Sequence, residues 1–359
     1  MRAGNPFSLD QKVGEGTHGV VYRSLHHDHP DCQTQVAVKR MRPSRGSDGV
    51  SITAYREMIL LRSLRHENVV RMTDALVTYD ADEEDGGKSA EPRPVLNLVF
   101  ENCPGGDLGQ HLRAMRRAGK AFSPAEVATL THQLLSGLAY LHSQDVMHRD
   151  IKPANLLVDG PPTWRLRIGD FGLARRFVPP PLTSHVEHVV VTLWYRAPEL
   201  LLGARTYAAS VDLWAAGCIL AELLTCTPLL PGKELGNGEP IQKEQLLLIF
   251  KLLGTPTTAV WPTLEEAKHW KHVKRWPEWP ELSADAIGRD ADTARDHAAR
   301  AIEERVARER LPGAPPPSAA WHAKCLALLT SLLSYRPDQR PTAAEAVLSV
   351  ADSCDTVTE

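Results

Sequence analysis

Two short stretches hold the residue types that phosphoryl transfer needs. The run HRDIKPAN supplies His148, Arg149, Asp150, Lys152 and Asn155, and DFG supplies Asp170, Phe171 and Gly172. Moving a phosphoryl group requires an acceptor for the proton of the incoming hydroxyl, oxygen ligands for a divalent cation, and cations facing the transferred group. Asp150 suits the first task, Asn155 and Asp170 the second, and Lys152 the third. Either run alone could equally be a polar turn or a capped strand. Three further motifs in a fixed order remove that reading. Gly14-Glu15-Gly16-Thr17-His18-Gly19 is a glycine loop followed by VVYRSL, a β-branched and aromatic strand, where a dinucleotide-binding fold would need a helix. Glycines between paired strands let backbone amides close over phosphates with no side chains in the way. Lys39, in V-A-V-K, shares a strand face with Ala37, because strand side chains alternate. Glu57, on the segment that follows, is its expected ion-pair partner and would hold it toward α- and β-phosphates. A-P-E, residues 197–199, completes the series.

These groups need elements to hold them. Residues 8–40 break into short alternating runs punctuated by glycine, which predicts strands and turns, and PVLNLVFEN predicts another strand. SITAYREMILLRSLRH carries a broad apolar stripe at helical spacing. Ser123, Pro124 and Glu126 form a capping box with proline at the first helical position, opening a helix to about His142. Thr342 with Glu345 repeats that logic for the last helix. The mixed charges of residues 290–310 predict a solvated helix, and the acidic insert near Asp80–Glu91 a solvated loop.

The chain has 359 residues, ordinary apolar and charged content, and a formal net charge of −3 without a long basic block, so direct nucleic-acid binding is not expected. Six scattered cysteines lack C-x-x-C spacing and suit a reducing compartment. The most apolar stretch, LWAAGCILAELL, is too short to span a bilayer. The expectation is a soluble intracellular protein with no membrane contact. His26, His27, His29 and Cys32 crowd one segment, but it reads as a strand–strand turn rather than a metal centre.

With these motifs in this order, the chain resembles a eukaryotic protein kinase over nearly its whole length, closest to the cyclin-dependent group. SITAYRE is similar to that group's cyclin-facing helix, and VVTLWYRAPELLLGARTYAASVDLWAAGCILAELL to its activation segment and central helix. Within the group, the wording LLLGAR, the insert DGPPTWRLR and an acid at position 187 lean toward the kinase of the Mediator complex, the partner of cyclin C. The resemblance implies a bilobal α+β fold, with a β-rich lobe over 1–101 and a helical lobe over 102–359. It implies ATP and Mg²⁺ as cofactors. Val13, Gly14, Gly16, Gly19, Val21, Ala37, Lys39 and Leu157 would hold the nucleotide, Phe100 would back the ring, and backbone groups of Glu101 and Cys103 would bond its edge. Glu199 would pair with Arg340, and Asp212 would anchor the catalytic loop.

The resemblance also implies a cyclin on the helix around Ser51–Arg62, Mediator kinase-module subunits as partners, a nuclear location, and substrates with Ser-Pro or Thr-Pro. Val190, Val191, Thr192 and Arg196 resemble the pocket that takes the proline, which would direct the enzyme to the RNA polymerase II tail and transcription factors. In relatives that need a phosphothreonine, three arginines gather around it; here these are Arg56, Arg149 and Arg175, while Glu187 holds the acidic place. Either Glu187 substitutes for the phosphate, or Thr183 or Ser184 is phosphorylated. His18 stands where an inhibitory tyrosine is common, which leaves Thr17 as a weaker brake. Tyr55 replaces a cyclin-contacting aliphatic residue, and could anchor an interface or pack inward. A sibling kinase of the cell cycle and a mainly scaffolding subunit are the alternatives.

Overall fold

The computed structural model describes residues 9, 11–16, 19–25, 35–42, 51–80, 93–177, 193–204, 207–233, 241–276, 291–312 and 317–354. The first hundred residues build one antiparallel sheet from β1 (Gln11–Gly16), β2 (Gly19–Leu25), β3 (Gln35–Met41), β4 (Met72–Asp80) and β5 (Arg93–Glu101), in the order β1-β2-β3-β5-β4, with α1 (Ile52–Ser63) between β3 and β4 in the chain. Alternation sorts its residues. Val36, Val38 and Val99 form a small cluster on one face, while Met41, Leu96, Leu98 and Phe100 join the main core on the other. The β-branched character of V-A-V-K therefore serves the sheet as well as the site. The edge strand β4 is absent from the sequence reading; its mixed MTDALVTYD gives little alternation to follow.

Helices dominate the remainder. α2 (Leu108–Arg117) and α3 (Pro124–Ser143) come first, then the short strands β6 (Val146–Met147), β7 (Leu156–Val158), β8 (Leu166–Ile168) and β9 (Arg175–Arg176). They pair as β6–β9 and β7–β8, so the two chemistry-bearing loops leave neighbouring ladders. α4 (Pro198–Leu201), α5 (Ser210–Thr225), α6 (Lys243–Leu253), α7 (Trp270–Val273), α8 (Ala291–Glu309), α9 (Ala319–Leu332) and α10 (Ala343–Cys354) follow. The arrangement is the expected bilobal α+β fold.

α3 starts as anticipated: the Ser123 hydroxyl accepts from Glu126 N–H while the Glu126 carboxylate accepts from Ser123 N–H. Thr342 and Glu345 do the same before α10. α5 is apolar almost all round and buried almost throughout, with Trp214 at its centre. It is a helix of the interior, and no helix among the described residues is long and apolar enough to cross a membrane. α8 corrects an expectation. It is a helix as foreseen, but Ile302 and Val306 are buried in the core, so one narrow stripe is packed rather than solvated. Cys103, Cys218, Cys226 and Cys325 are free thiols. Residues 26–34, which hold the histidine cluster, and most of the acidic insert lie outside the described residues.

Candidate active site

Lys39 is the junction between sheet and helices. Its Nζ lies 2.8 Å from Glu57 Oε1 on α1 and 2.8 Å from Asp170 Oδ1 in the loop after β8. Burial alone would strip its proton, but the two carboxylates outweigh that and hold its pKa above the ordinary lysine value. The ion pair expected with Glu57 is present, and Asp170 is a second partner.

The catalytic loop is fixed from below by Asp212, near the start of α5. Its two oxygens accept from the backbone N–H of His148 (2.9 Å) and Arg149 (2.8 Å), and Oδ2 also meets His142 Nε2 at 3.0 Å. Burial pushes this carboxyl up, while the His142 contact, the neighbouring His148 and the Arg149 amide bring it below the usual range. Asp212 thus holds Arg149 in a left-handed conformation, φ 70°, which a residue with a Cβ adopts at a cost of about 1–2 kcal/mol. Asp170 is left-handed as well, φ 56°. Such strain in both loops is characteristic of functional sites.

His148 ties the two loops together. It is fully buried, its Nδ1 accepts from Asp150 N–H at 3.3 Å, and its Nε2 then donates to Gly169 O at 2.9 Å. Gly169 N–H donates in turn to Asn155 O at 2.8 Å. Asp150 and Asp170 are consequently set by one hydrogen-bonded frame. Within it, Asp150 Oδ2 lies 2.9 Å from Lys152 Nζ and accepts from Asn155 Nδ2 at 2.8 Å; Asn155 Nδ2 also donates to Asp150 O at 2.7 Å.

Asn155 spends its amide nitrogen on Asp150, which leaves its carboxamide oxygen as a donor toward a cation. The Asp170 carboxylate is 41% exposed. Both are hard oxygen ligands of the kind Mg²⁺ takes when phosphates and water complete its shell. The residues present therefore fit a divalent cation shared with a nucleotide.

The glycine loop separates into two roles. A methyl at Gly19 would come within 2.4 Å of Arg40 O, so this glycine is demanded by the packing of β2 on β3. A methyl at Gly16 would meet nothing within 4 Å, and one at Gly14 only Val21 Cβ at 4.0 Å. Those two glycines keep open the space in front of the sheet rather than inside it. Val13 is 45% exposed, while Val21, Ala37 and Leu157 are partly buried and Phe100 is buried behind them. Past β5, Cys103 O accepts from Gly106 N–H at 3.3 Å, and the Cys103 N–H has no internal acceptor among the described residues.

Arg167 on β8 was not among the expected site residues. Its Nε meets Glu101 Oε1 at 3.2 Å, and its Nη1 meets Asp159 Oδ1 at 3.0 Å and Cys103 Sγ at 3.7 Å. It links the segment where a nucleotide base would sit to the strand that delivers Asp170. A lone arginine in a three-residue strand gives no sequence signal for this. Beside it, Trp164 of the DGPPTWRLR insert is buried and donates to Glu126 Oε1 at 2.8 Å, so the insert is packed onto the start of α3.

Glu199 and Arg340 form the expected clamp, with Nη1 and Nη2 2.6 and 2.8 Å from the two carboxylate oxygens. Of the three arginines, Arg56 is exposed on α1, Arg149 lies over the Tyr207 ring at 5.7 Å, and Arg175 donates to Ala174 O at 3.0 Å. Thr17, His18, Thr183, Ser184, Glu187, Val190, Val191 and Thr192 lie outside the described residues. Tyr55 is 54% exposed and points outward with Ile52 and Ile59, forming an apolar strip along α1.

The sequence matches known proteins over most of its length. A family model described as the protein kinase domain matches residues 7–350. The chain is similar to a probable cyclin-dependent kinase 8 of Dictyostelium discoideum, at 35% identity over 95% of this chain and 79% of that protein. It is 42% identical to cyclin-dependent kinase E-1 of Arabidopsis thaliana over 74% of this chain and 54% of that protein. It is 40% identical to cell division control protein 2 homolog D of Antirrhinum majus over 76% and 81% respectively.

Proposed function

This chain belongs to the protein kinase family and, within it, to the cyclin-dependent kinases, and from that premise we propose that it is the cyclin C-dependent kinase of a Mediator kinase module. In that role it transfers the γ-phosphate of ATP to Ser-Pro and Thr-Pro sites of the transcription machinery, the RNA polymerase II tail and transcription factors among them, in the nucleus. The observation that carries the catalytic reading is Lys39 bridging Glu57 and Asp170, which ties the sheet, α1 and the loop after β8 together. The likeness to a probable cyclin-dependent kinase 8 and the packed insert at Trp164 support the Mediator reading.

In the proposed mechanism Lys39 holds the α- and β-phosphates, kept in place by Glu57. Asn155 and Asp170 hold Mg²⁺, which when bound neutralises charge on the phosphates. Asp150 has Oδ2 engaged by Lys152 and Asn155, so Oδ1 is the atom that accepts the proton of the substrate hydroxyl. Lys152 faces the transferred group and offsets its developing charge. The glycine loop covers the phosphates, Val13, Val21, Ala37 and Leu157 enclose the ring, and Glu101 and Cys103 bond its edge. The apolar strip of Ile52, Tyr55 and Ile59 is the cyclin-docking face. Glu187 supplies to Arg56, Arg149 and Arg175 the negative charge that a phosphothreonine supplies elsewhere, about −1 in place of roughly −1.5 to −2.

The test is transfer from Mg-ATP to a Ser-Pro peptide by the purified chain, alone and with cyclin C, with no activating kinase present. Strong activity only with cyclin C is expected. Silence with cyclin C demonstrably bound would reject the self-sufficient role of Glu187.

A further inference from the structure

α2 and the residues just after it are lopsided in charge. Between Leu108 and Lys120 there are four cations, Arg113, Arg116, Arg117 and Lys120, and no carboxylate, on a chain whose net charge is −3. All four are exposed, and among the described residues none has an ion-pair partner. Spacing puts Arg113, Arg116 and Arg117 on one helical face, where like charges three and four residues apart disfavour the helix by about 0.2–0.5 kcal/mol per pair, and Lys120 follows just past the left-handed Gly119. Arg116 and Arg117 sit in the last turn, where cations offset the helix dipole. That does not account for Arg113 in the middle of the helix or for Lys120 beyond its end.

The position of the face gives it a use. The Arg113 guanidinium lies against Gly109, where a methyl would come within 3.2 Å of Nη1 and 3.4 Å of Pro153 Cβ in the catalytic loop. Its charge is felt at Tyr195, in the segment just before A-P-E, and at Glu222, whose carboxylate accepts from the Tyr195 hydroxyl at 2.6 Å. At its far end Lys120 O receives the Cys226 thiol at the end of α5. The stripe therefore begins beside the catalytic loop and follows α2 for roughly 6 Å from Arg113 to Arg117, about two extended residues, with Lys120 just past the helix end.

We propose that this face of α2 is a substrate-recognition surface for acidic or phosphorylated residues flanking the acceptor site. It deepens, and rests on, the reading of the chain as a protein-substrate kinase. Three of the four cations are arginines, whose planar forks pair bidentately with phosphate and carboxylate. A phosphate brings more charge than a carboxylate and is the stronger ligand. The enzyme would then act best after another kinase, on proteins that already carry phosphate near a Ser-Pro or Thr-Pro.

The experiment compares the wild type with the triple variant Arg116→Gln/Arg117→Gln/Lys120→Gln, which leaves Arg113 against the catalytic loop. Three Ser-Pro peptides are used: neutral, with two glutamates, and with one phosphoserine, the anionic residues placed three to eight positions to either side. KM is read for the cyclin-bound enzyme, and peptide binding by fluorescence anisotropy at low and high salt. The wild type is expected to take the phosphopeptide with a KM about tenfold or more below that of the neutral one, as charge-assisted hydrogen bonds provide. The glutamate peptide should fall between them. The triple variant should lose the preference and leave the neutral peptide unchanged. Equal KM for all three peptides in the wild type, or a preference that survives in the variant, would overturn the proposal. Should no peptide be phosphorylated, the catalytic reading fails separately and anisotropy decides. Tighter phosphopeptide binding that salt and the variant both abolish supports the surface, and equal binding of all three refutes it.

Discussion

Replacing Arg340 by alanine tests how the helical lobe is held. The Arg340 side chain is fully buried and that of Glu199 is only 4% exposed. Both guanidinium ends bond the carboxylate, at 2.6 and 2.8 Å, while Nε reaches Ser334 O at 2.9 Å and Nη1 reaches Ser210 O at 3.1 Å. The guanidinium also lies 5.1 Å over the Trp214 ring. Arg340→Ala removes the cation and leaves a buried carboxylate without its partner, which costs about 3–5 kcal/mol. For a lobe of this size that corresponds to a fall in Tm of roughly 6–20 °C. Removing both charges behaves differently. Arg340→Met with Glu199→Leu leaves no orphaned ion and is expected to recover most of the loss. Thermal and urea unfolding, followed through the tryptophans, read both variants. A single variant within about 1 kcal/mol of wild type, or a double variant no more stable than the single, would refute the view that burial of the pair governs its energetics.

Other expectations follow from the same geometry. Lys39→Met should lower kcat about 10²–10³-fold, checked with the Ser-Pro peptide assay, and should also lower the melting temperature, because it leaves the buried Glu57 carboxylate without its cation. Glu187→Ala should lower cyclin-bound activity about tenfold or more, the worth of one or two charge-assisted hydrogen bonds, and Glu187→Asp should retain most of it. Glu222 is pushed up to about 7 by burial, partly offset by the Tyr195 hydroxyl and Arg113. Its folded pKa exceeds its unfolded one, so it favours the folded state at low pH, and that contribution of about 3 kcal/mol is lost as pH rises from about 4.5 through about 7. Glu222→Gln should therefore flatten stability against pH over that window, and an unchanged pH profile would count against the assignment. Tyr55→Glu, on the outward strip of α1, should weaken cyclin binding about tenfold or more without altering the isolated chain's melting temperature.

Local chemistry makes much of this protein legible in its sequence. Ser123 with Glu126 and Thr342 with Glu345 announce helix starts because both halves of each capping box lie within four residues. Lys39 and Glu57 were paired from the order of elements, and A-P-E from its family pattern. What escaped the sequence depends on residues far apart along the chain. Arg167 reads as a polar residue in a short strand, yet it meets Glu101, Cys103 and Asp159 only because β8 runs under the end of β5. α8 reads as solvated because charges outnumber its apolar residues, and the burial of Ile302 and Val306 comes from helices elsewhere in the chain. His148 shows the limit most clearly. Its place in H-R-D is plain, but its bond to Gly169, which aligns Asp150 with Asp170, exists only in three dimensions.

The anchoring of the catalytic loop on Asp212 divides the ways in which this enzyme can fail. Asp150, Lys152 and Asn155 are referred to α5, a helix sealed in the interior, and damage there is damage to the fold. Lys39 and Glu57 come from the sheet and α1, and replacing both with neutral residues silences chemistry without leaving a buried ion unpaired. A lineage could discard catalysis at Lys39 and Glu57 together and keep the protein as an architectural subunit, whereas loss of Asp212, which anchors the loop backbone, allows no such quiet retirement. Gene copies that persist without activity would therefore be expected to carry their substitutions at Lys39 or Glu57 far more often than at Asp212.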